Sequence, residues 1–316
     1  MRSSLHDTPS PDGTLDAWLA YVIQIKLDVL VALLKEKNDP FAMEHVHKLR
    51  VNARRLEAIF RVFEGRFPRK KVRQLREELR AMIGFLGDVR ENDVVLEMLE
   101  RGAGTLRAHD KFILGILLAQ VSRRQKKGLR RLRAYLKIMR PQELKRRARE
   151  LTSTLSGKAA NVRSRSKSRI LFRDAMREVI PRLFGEFMRF EERVRDHPKR
   201  LEEFHDMRVA GKPLRYMMEI VLPVAGTRAK KCLREIEAFL TEMGAIHDLD
   251  VAIETIADYL EEVTSYDPAM KQGVGVLFRL LEEQRRRREV LFRKLCATLQ
   301  RWDRENFRSA LIQSIA

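Results

Sequence analysis

The sequence predicts an all-α protein made of two four-helix bundles. Nearly all of its 316 residues follow the period of amphipathic helices. No run alternates apolar and polar residues convincingly enough to indicate a β-strand. The segment 47–60 (HKLRVNARRLEAIF) returns as 205–218 (HDMRVAGKPLRYMM), and the segment 87–96 (GDVRENDVVL) returns as 244–253 (GAIHDLDVAI). Two motifs that repeat in the same order indicate a tandem duplication, with one bundle in each half.

Four long helices and one short helix are predicted in the first half of the chain. Pro40 and Gly65 bracket the second of these helices, because proline and glycine interrupt helical patterns. Pro68 and Pro141 stand at helix starts, where a proline in the first turn is tolerated. The predicted helices span about 14–36, 41–64, 69–101, 108–140 and 141–155.

The second half is predicted to repeat this arrangement. Asp267 is predicted to cap its fourth helix, with Pro268 as the first helical residue. Long helices with short connections favour antiparallel packing into a bundle. The predicted helices span about 169–195, 198–222, 227–261 and 268–301, followed by a short helix from 303.

A small, polar and basic segment, 157–169 (GKAANVRSRSKSR), lies between the halves and contains no acidic residue. This composition is typical of a linker. The chain is therefore divided into a first bundle (14–156), a basic linker (157–168) and a second bundle (169–316).

The charge balance indicates a polyanionic partner. Lys and Arg total 64 against 44 Asp and Glu, a formal net charge of +20. Such an excess is self-repelling, and it favours nucleic acid, an anionic membrane surface or a phosphate polymer as the partner. The two cysteines, Cys232 and Cys296, exclude a disulfide framework. The N-terminal residues lack the apolar stretch of a signal peptide, and the longest apolar run, 112–121, is too short to span a bilayer. A cytoplasmic protein without a membrane partner is expected.

The repeated first motif places its basic side chains on one side of a helix. At about 100° per residue, Leu49, Leu56 and Phe60 fall on the opposite side and are expected to enter the core. A solvated face is the usual role of a helical charge run. This stripe is almost purely cationic, however, and a like-charged cluster without a counter-charge indicates an anion site. The stripes hold His47, Arg50, Arg54 and Arg61, together with Glu57, in the first copy and His205, Arg208, Lys212 and Arg215 in the second.

Two further groups of residues are candidates for the same site. In the second motif, Asp93 lies one turn after Arg90 and Asp250 one turn after His247, so these carboxylates could orient the basic stripe or form ordinary inter-helix salt bridges. The fourth helix of each half is strongly basic, and its side chains either contact the ligand or are merely solvated. The candidates there are Arg123, Arg124, Lys127 and Arg131 in the first half, and Arg286 and Arg287 in the second.

These motifs resemble the CHAD family, the conserved histidine α-helical domain. The resemblance rests on HxxRVxxRR at 47–55, HxxRVxxK at 205–212 and (R/H)xxDV at 90–94 and 247–251, and it extends from about residue 14 to the end of the chain. It implies two four-helix bundles related by pseudo-twofold symmetry. It also implies a basic central surface that binds inorganic polyphosphate, and an association with polyphosphate granules.

The ligand residues implied by the resemblance come from both copies of the first motif. Pro213 occupies the place of Arg55 in the second copy, two residues after Gly211, so a kink is expected there and the first copy is expected to contribute more. The implied ligands are His47, Arg50, Arg54, Arg55, His205, Arg208, Lys212 and Arg215.

The expected function is therefore non-catalytic binding of polyphosphate, with phosphate or sulfate ions as simple ligands and with no cofactor. A nucleic-acid-binding module is the first alternative, but the aromatic residues lie at apolar positions and offer no stacking platform. A phosphohydrolase or phosphohistidine protein is less well supported, because no HExxH motif or glycine-rich phosphate loop is present. A metal site would need Asp206, Asp248 or Asp250 beside the histidines, where the positive charge repels cations.

Overall fold

The computed structural model describes residues 9–10, 12–36, 41–103, 108–160, 170–196, 201–266 and 274–315. Within these ranges the chain forms eleven α-helices and a short 3-10 helix at Glu64–Arg66, and the only β-type pairing is an isolated bridge between Thr14 and Leu171. The all-α prediction is confirmed. The helices are α1 (Leu15–Lys35), α2 (Met43–Val62), α3 (Arg69–Ala103), α4 (Ala108–Ile138), α5 (Pro141–Ala160), α6 (Phe172–Met188), α7 (Glu191–Asp196), α8 (Leu201–Val221), α9 (Thr227–Tyr266), α10 (Gly275–Arg304) and α11 (Phe307–Ser314).

The helix limits differ from the predicted ones at three places. The segment predicted as one helix at 169–195 is divided into α6 and α7 by a turn at Arg189 and Phe190. Helix α5 continues to Ala160, so the first four residues of the predicted linker 157–168 are helical and the others lie outside the described residues. Helix α9 continues to Tyr266, while Asp267 and Pro268, the predicted start of the next helix, lie outside the described residues.

The starts of α1 and α6 are joined through the backbone. The amide of Leu15 donates to the carbonyl of Ile170 at 2.9 Å, and the amide of Phe172 donates to the carbonyl of Gly13 at 3.0 Å. The rings of Trp18 and Phe172 stack behind this pairing, with centroids 4.6 Å apart. The first helix of each half is therefore anchored to the other half.

Helix α1 is long and apolar enough to cross a membrane, as judged by its length and composition, and no other helix in the described ranges meets that description. It packs against α2, α5 and α6. Trp18, Ile23, Leu27 and Leu30 are almost completely buried in the core between these helices. The same length and composition are typical of a core helix in a helical bundle.

The apolar side chains form two separate cores. The larger one runs through both halves of the chain, from Leu15 to Ile315. The smaller one joins the end of α3 and the start of α4 to the end of α9 and the start of α10, with Leu99 and Ile256 among its buried residues. Residues 90–94 and 247–251 lie along α3 and α9 between the segments that supply the two cores. The repeated polar motifs therefore occupy a layer between two apolar regions.

Gly211 lies where α8 approaches α6 and α9 closely. A Cβ atom at this position would lie 2.5 Å from Leu240 Cδ2 and 3.0 Å from the ring of Phe187. Helix α8 continues through Pro213 to Val221 as one helix, so the helix is not broken at the site of the expected kink. A side chain at this position would displace the side chains of Leu240 and Phe187.

Replacing Gly211 with alanine should destabilise the protein by about 1–2 kcal/mol, because the added methyl group overpacks a buried contact. Gly84 is the matched control, since it lies exposed within α3 and a Cβ atom there would meet nothing within 4 Å. Gly84→Ala should stabilise the protein by about 0.5–1 kcal/mol through helix propensity. Urea denaturation of both variants measures the two changes, and equal effects would contradict the packing argument.

Candidate functional site

The two copies of the basic stripe meet because α2 packs against α8 and α3 packs against α9. The apolar faces predicted for α2 and α8 are buried, with Leu49, Leu56, Met207 and Leu214 at most 1% exposed. The basic stripes on the other sides of these helices converge and, together with Arg90, form a set of five basic side chains that we call the basic cluster. It consists of Arg50 and Arg54 on α2, Arg90 on α3, and Arg208 and Lys212 on α8.

The cations of the basic cluster have no carboxylate partner among the described residues. None of them forms an ion pair within 4.0 Å there, and Arg50 Nε, Arg90 Nη1 and Arg208 Nε are buried without a hydrogen-bond partner. Buried polar groups in folded proteins are nearly always hydrogen-bonded, and each exception needs an explanation. An anion that accepts hydrogen bonds from these donors would provide one.

Burial and mutual repulsion perturb the ionisation of the cluster. Burial, followed by the charges of Arg208, Arg54 and Arg50, lowers the pKa of Lys212 to about 6. Burial, with a smaller contribution from Arg54, lowers the pKa of Arg50 to about 10. The pKa values of Arg54 and Arg208 are also lowered, mainly by burial. Each of these groups would therefore be stabilised by negative charge brought into the cluster.

Three histidines border the basic cluster. His47 and His205 are exposed at its edge, and the ring of His247 lies 5.7 Å from that of His205 between centroids. Desolvation, followed by the charge of Arg208, lowers the pKa of His247 to about 3. Desolvation and neighbouring cations also lower the pKa values of His47 and His205. All three rings are therefore neutral at pH 7 in the ligand-free protein and can donate one hydrogen bond each.

Asp248, which the sequence suggested only as a possible metal ligand, is a half-buried carboxylate next to the basic cluster. Burial raises its pKa, while Arg90, Arg208 and Arg50 act in the opposite direction. The exposed Glu91 is a second acid that acts on the cluster electrostatically. Among the described residues no group of three His, Cys, Asp or Glu side chains could hold a metal ion. The charge of the cluster is therefore reduced by these acids but remains positive.

The other residues of the second motif divide between two roles. Arg90 and His247 belong to the cluster and its border. Asp93 and Asp250 were expected either to orient the stripe or to form inter-helix salt bridges, and both contact the fourth helix of their own half. Asp93 Oδ1 accepts a hydrogen bond from Gln125 Nε2 at 2.6 Å, and Asp250 Oδ1 accepts one from Arg288 Nε. These two carboxylates therefore fix α3 to α4 and α9 to α10.

The remaining candidates lie outside the basic cluster. Arg55 and Arg215 both bind Glu219, at 2.9 Å and 3.1 Å, and Arg215 also binds Glu237 at 3.1 Å. These two arginines are neutralised by carboxylates, unlike those of the cluster. Arg286 and Arg287 are exposed and line a cleft next to Arg90. Four candidates are exposed along α4, namely Arg123, Arg124, Lys127 and Arg131.

The depressed pKa of Lys212 gives the ligand-free protein a pH-dependent stability. Because the folded pKa is about 6 and the ordinary value is 10.5, the unfolded chain binds more protons between these limits. Stability should therefore rise with pH above about 6, by at most about 1.4 kcal/mol per pH unit for this one group. Lys212→Met should remove this slope, whereas Lys230→Met, at an exposed position, should retain it.

Urea denaturation between pH 7 and 9 measures the effect above the range in which the histidines titrate. A slope that is unchanged in Lys212→Met would contradict the proposed charge state of this lysine.

Comparison with known proteins agrees with this architecture. The family model for the CHAD domain matches residues 27–257. A crystal structure of the CHAD domain from the plant Ricinus communis superposes with a TM-score of 0.64 at 19% identity, covering 93% of this chain and 94% of that one. PptA from Streptomyces chartreusis superposes with a TM-score of 0.62 at 14% identity, covering 91% of this chain and 100% of that one. No match was found among curated proteins. The family match spans most of the chain and includes both copies of each motif, and the chain therefore belongs to the CHAD family.

Proposed function

We propose that this protein binds inorganic polyphosphate through the basic cluster and does not catalyse a reaction on it. The observation that carries the proposal is the set of five converging basic side chains, three of which have buried N–H groups without a hydrogen-bond partner among the described residues. Family membership is consistent with polyphosphate as the ligand. A linear chain of phosphates provides a charged acceptor for each of these donors, and arginine is well suited to bind phosphate oxygens with two parallel hydrogen bonds.

We also propose that the two halves form an internal twofold repeat, with one four-helix bundle in each. Two contacts support this proposal. The helices that carry the first motif, α2 and α8, pack against each other, and so do α3 and α9, which carry the second. In a twofold arrangement, equivalent elements meet at the axis. The basic cluster lies at this contact, so both halves contribute to the binding surface.

Nucleic acid is the principal alternative ligand, since its backbone has a similar density of charge. Proteins that bind single strands without sequence preference usually stack bases on exposed aromatic side chains. Tyr216 is the aromatic residue that interacts electrostatically with Arg54 and Arg208, and its side chain is only 8% exposed. Phe60, Phe63 and Phe184 are buried in the core. The site therefore favours a polyanion without bases.

Catalysis and metal binding have less support at this site. The three histidines at the border of the cluster have no carboxylate in hydrogen-bond contact among the described residues. The histidine that has such a contact is the buried His45, whose Nδ1 lies 3.3 Å from Glu36 Oε2. A phosphohistidine would need an activated ring, and desolvation, followed by the nearby cations, instead lowers the pKa values of His47 and His205. We therefore propose a binding role, in the cytoplasm and in association with polyphosphate granules.

Ligand binding should stabilise the fold, because polyphosphate relieves the repulsion within the cluster. At a free ligand concentration one hundred times the dissociation constant, the free energy of unfolding should increase by about 2.7 kcal/mol. Thermal unfolding with and without long-chain polyphosphate at low salt measures this increase. Single-stranded RNA at the same phosphate concentration is the comparison. An unchanged melting temperature would overturn the proposal, and an equal shift with RNA would favour a general polyanion-binding protein.

A further inference from the structure

The outer side of α4 carries positive charge that lies apart from the basic cluster. Eight lysine and arginine side chains between positions 123 and 137 are exposed, and no acidic residue occurs between positions 111 and 142. None of the eight forms an ion pair with a described residue. Like charges three or four positions apart destabilise a helix, so this charge is uncompensated in the free protein. We call these side chains the α4 band: Arg123, Arg124, Lys126, Lys127, Arg130, Arg131, Arg133 and Lys137.

Helix α10 is the fourth long helix of the second half, as α4 is of the first, and its basic side chains are neutralised. Acidic residues are interspersed among them, as on an ordinary solvated helix face. Between positions 285 and 301, Arg286 is the exception, because it makes no ion pair with a described residue. The pairs are Arg285 with Glu282, Arg287 with Glu283, Arg288 with Asp250, Arg293 with Glu289, Lys294 with Glu242 and Arg301 with Glu235. The α4 band therefore differs from a solvated face of mixed charge.

The packing of α4 leaves the band open to solvent. The inner side of this part of α4 lies against α3, with Leu132 completely buried and Gly128 so close that a Cβ atom there would lie 3.5 Å from Val89 Cγ2. At one edge of the band, the guanidinium of Arg133 lies 4.4 Å from the centroid of the Phe41 ring, a contact that does not neutralise its charge. The outer side of the helix is therefore cationic across its full width.

The arrangement of the cations around α4 distinguishes between polyanions. At about 100° per residue, Arg124 and Arg131 lie along one edge of the band, while Lys126 and Lys137 lie towards the other edge. A helix with its side chains is about 10–12 Å across, so the two edges are separated by a similar distance. A single chain of phosphates or a flat anionic membrane contacts only part of such a convex surface. Two rows of phosphates on either side of a groove contact both edges.

The major groove of B-form DNA has these dimensions. It is about 12 Å wide and admits an α-helix, whereas the major groove of duplex RNA is deep and narrow. Contacts to phosphates fix a protein on the duplex without reading its sequence. Gln125, the amide side chain within this segment, donates a hydrogen bond to Asp93 at 2.6 Å on α3 and is not directed outward. The band therefore offers charge to the backbone and no amide contact to a base.

We propose that the α4 band binds the phosphate backbone of duplex DNA, with α4 in the major groove and without sequence preference. This site uses one helix of the first half, whereas the basic cluster uses α2, α3 and α8, so the inference does not rest on the proposed function. One molecule can then hold polyphosphate in the cluster and DNA on α4 at the same time.

Fluorescence anisotropy of a labelled DNA duplex of mixed sequence, titrated with the full chain at several salt concentrations, tests this proposal. The logarithm of the affinity falls with the logarithm of the salt concentration by about 0.9 for each phosphate contact of duplex DNA. The variant with Arg124→Gln and Arg131→Gln removes two cations from one edge, and the variant with Lys126→Gln and Lys137→Gln removes two towards the other. Each should make the slope shallower by about 1.8.

The matched control removes the same charge from α10. Arg285 and Arg293 are exposed and paired with glutamates on their own helix, so Arg285→Gln with Arg293→Gln should leave the slope unchanged. Equal losses in all three variants would show diffuse attraction and overturn the α4 site. A loss confined to one edge, or equal affinity for single-stranded DNA, would show that one row of phosphates suffices and would also overturn it.

A comparison with polyphosphate separates this inference from the proposed function. The variant with Arg50→Met and Arg208→Met should retain its affinity for DNA, because these residues belong to the cluster and not to the band. A loss of DNA binding in that variant would place DNA at the cluster and overturn a separate site. DNA binding that depends on both edges of α4, in a protein that does not bind polyphosphate, would support the α4 site and overturn the proposed function. Polyphosphate binding without DNA binding would do the reverse.

Discussion

Replacing Arg50 and Arg208 together with methionine should lower the affinity for long-chain polyphosphate by about two to four orders of magnitude. A hydrogen bond to a charged group contributes about 1.5–3 kcal/mol, and each 1.4 kcal/mol corresponds to a factor of ten. These two arginines come from different halves of the chain, and the buried Nε of each has no hydrogen-bond partner in the described ranges. Titration of both proteins with polyphosphate of defined length at one salt concentration measures the loss.

The control for this variant must remove the same charge elsewhere. Arg73 and Arg182 are exposed, and each is paired with a glutamate four residues later on its own helix. Exposed pairs of this kind contribute little to stability. The variant with Arg73→Met and Arg182→Met should bind polyphosphate within about threefold of the unchanged protein, because only the screened general field is altered. Equal losses in the two double variants would show that net charge, and not the cluster, determines binding.

The ligand-free stability separates a lost contact from a damaged fold. Methionine preserves most of the buried stem of arginine and removes an unpaired buried charge. Replacing buried charges with apolar side chains of similar volume is often neutral or stabilising. The Arg50→Met, Arg208→Met variant should therefore resist urea at least as well as the unchanged protein. A fall in both stability and affinity would indicate that these arginines maintain the fold.

Periodicity and repetition were sufficient to predict most of the basic cluster. The helical period places Arg50, Arg54, Arg208 and Lys212 opposite apolar residues that must be buried, so these four cations had to lie on the remaining faces. The repeated motifs indicated that the two faces are equivalent but did not show that they meet. Their meeting depends on the packing of α2 against α8, which a period along one helix does not specify.

Long-range partners were not predictable from the sequence. Arg55 follows Arg54 directly, yet it binds Glu219, which is 164 positions away. This ion pair neutralises Arg55, which therefore does not belong to the basic cluster. The fourth helix of the second half shows the same difficulty. Residues 285–288 are four consecutive arginines. Arg288 is the one that is half-buried, in an ion pair with Asp250, while Arg286 and Arg287 are exposed. A rotation of about 100° about α10, the angle between successive residues, would bury a different arginine, and tertiary packing sets that rotation.

Raising the salt concentration from 50 to 200 mM should weaken polyphosphate binding about a hundredfold. For single-stranded polyanions, the logarithm of the affinity falls with the logarithm of the salt concentration by about 0.7 for each phosphate contact. The basic cluster offers five cations without a carboxylate partner among the described residues, so the expected slope is about −3.5. Lys212 contributes a full phosphate contact to this slope only when the bound ligand keeps it protonated. A titration at pH 6 would ensure this condition.

The slope also tests where on the protein the polymer binds. If the whole surface with its net charge of +20 acted diffusely, the slope would be steeper than five contacts allow, and the two double variants would change it equally. If the basic cluster is the site, the Arg50→Met, Arg208→Met variant should have a slope of about −2, whereas the Arg73→Met, Arg182→Met variant should retain about −3.5. The measured slope divided by about 0.7 would then equal the number of unpaired cations, and this agreement connects the unsatisfied donors of the ligand-free structure to the affinity of the complex.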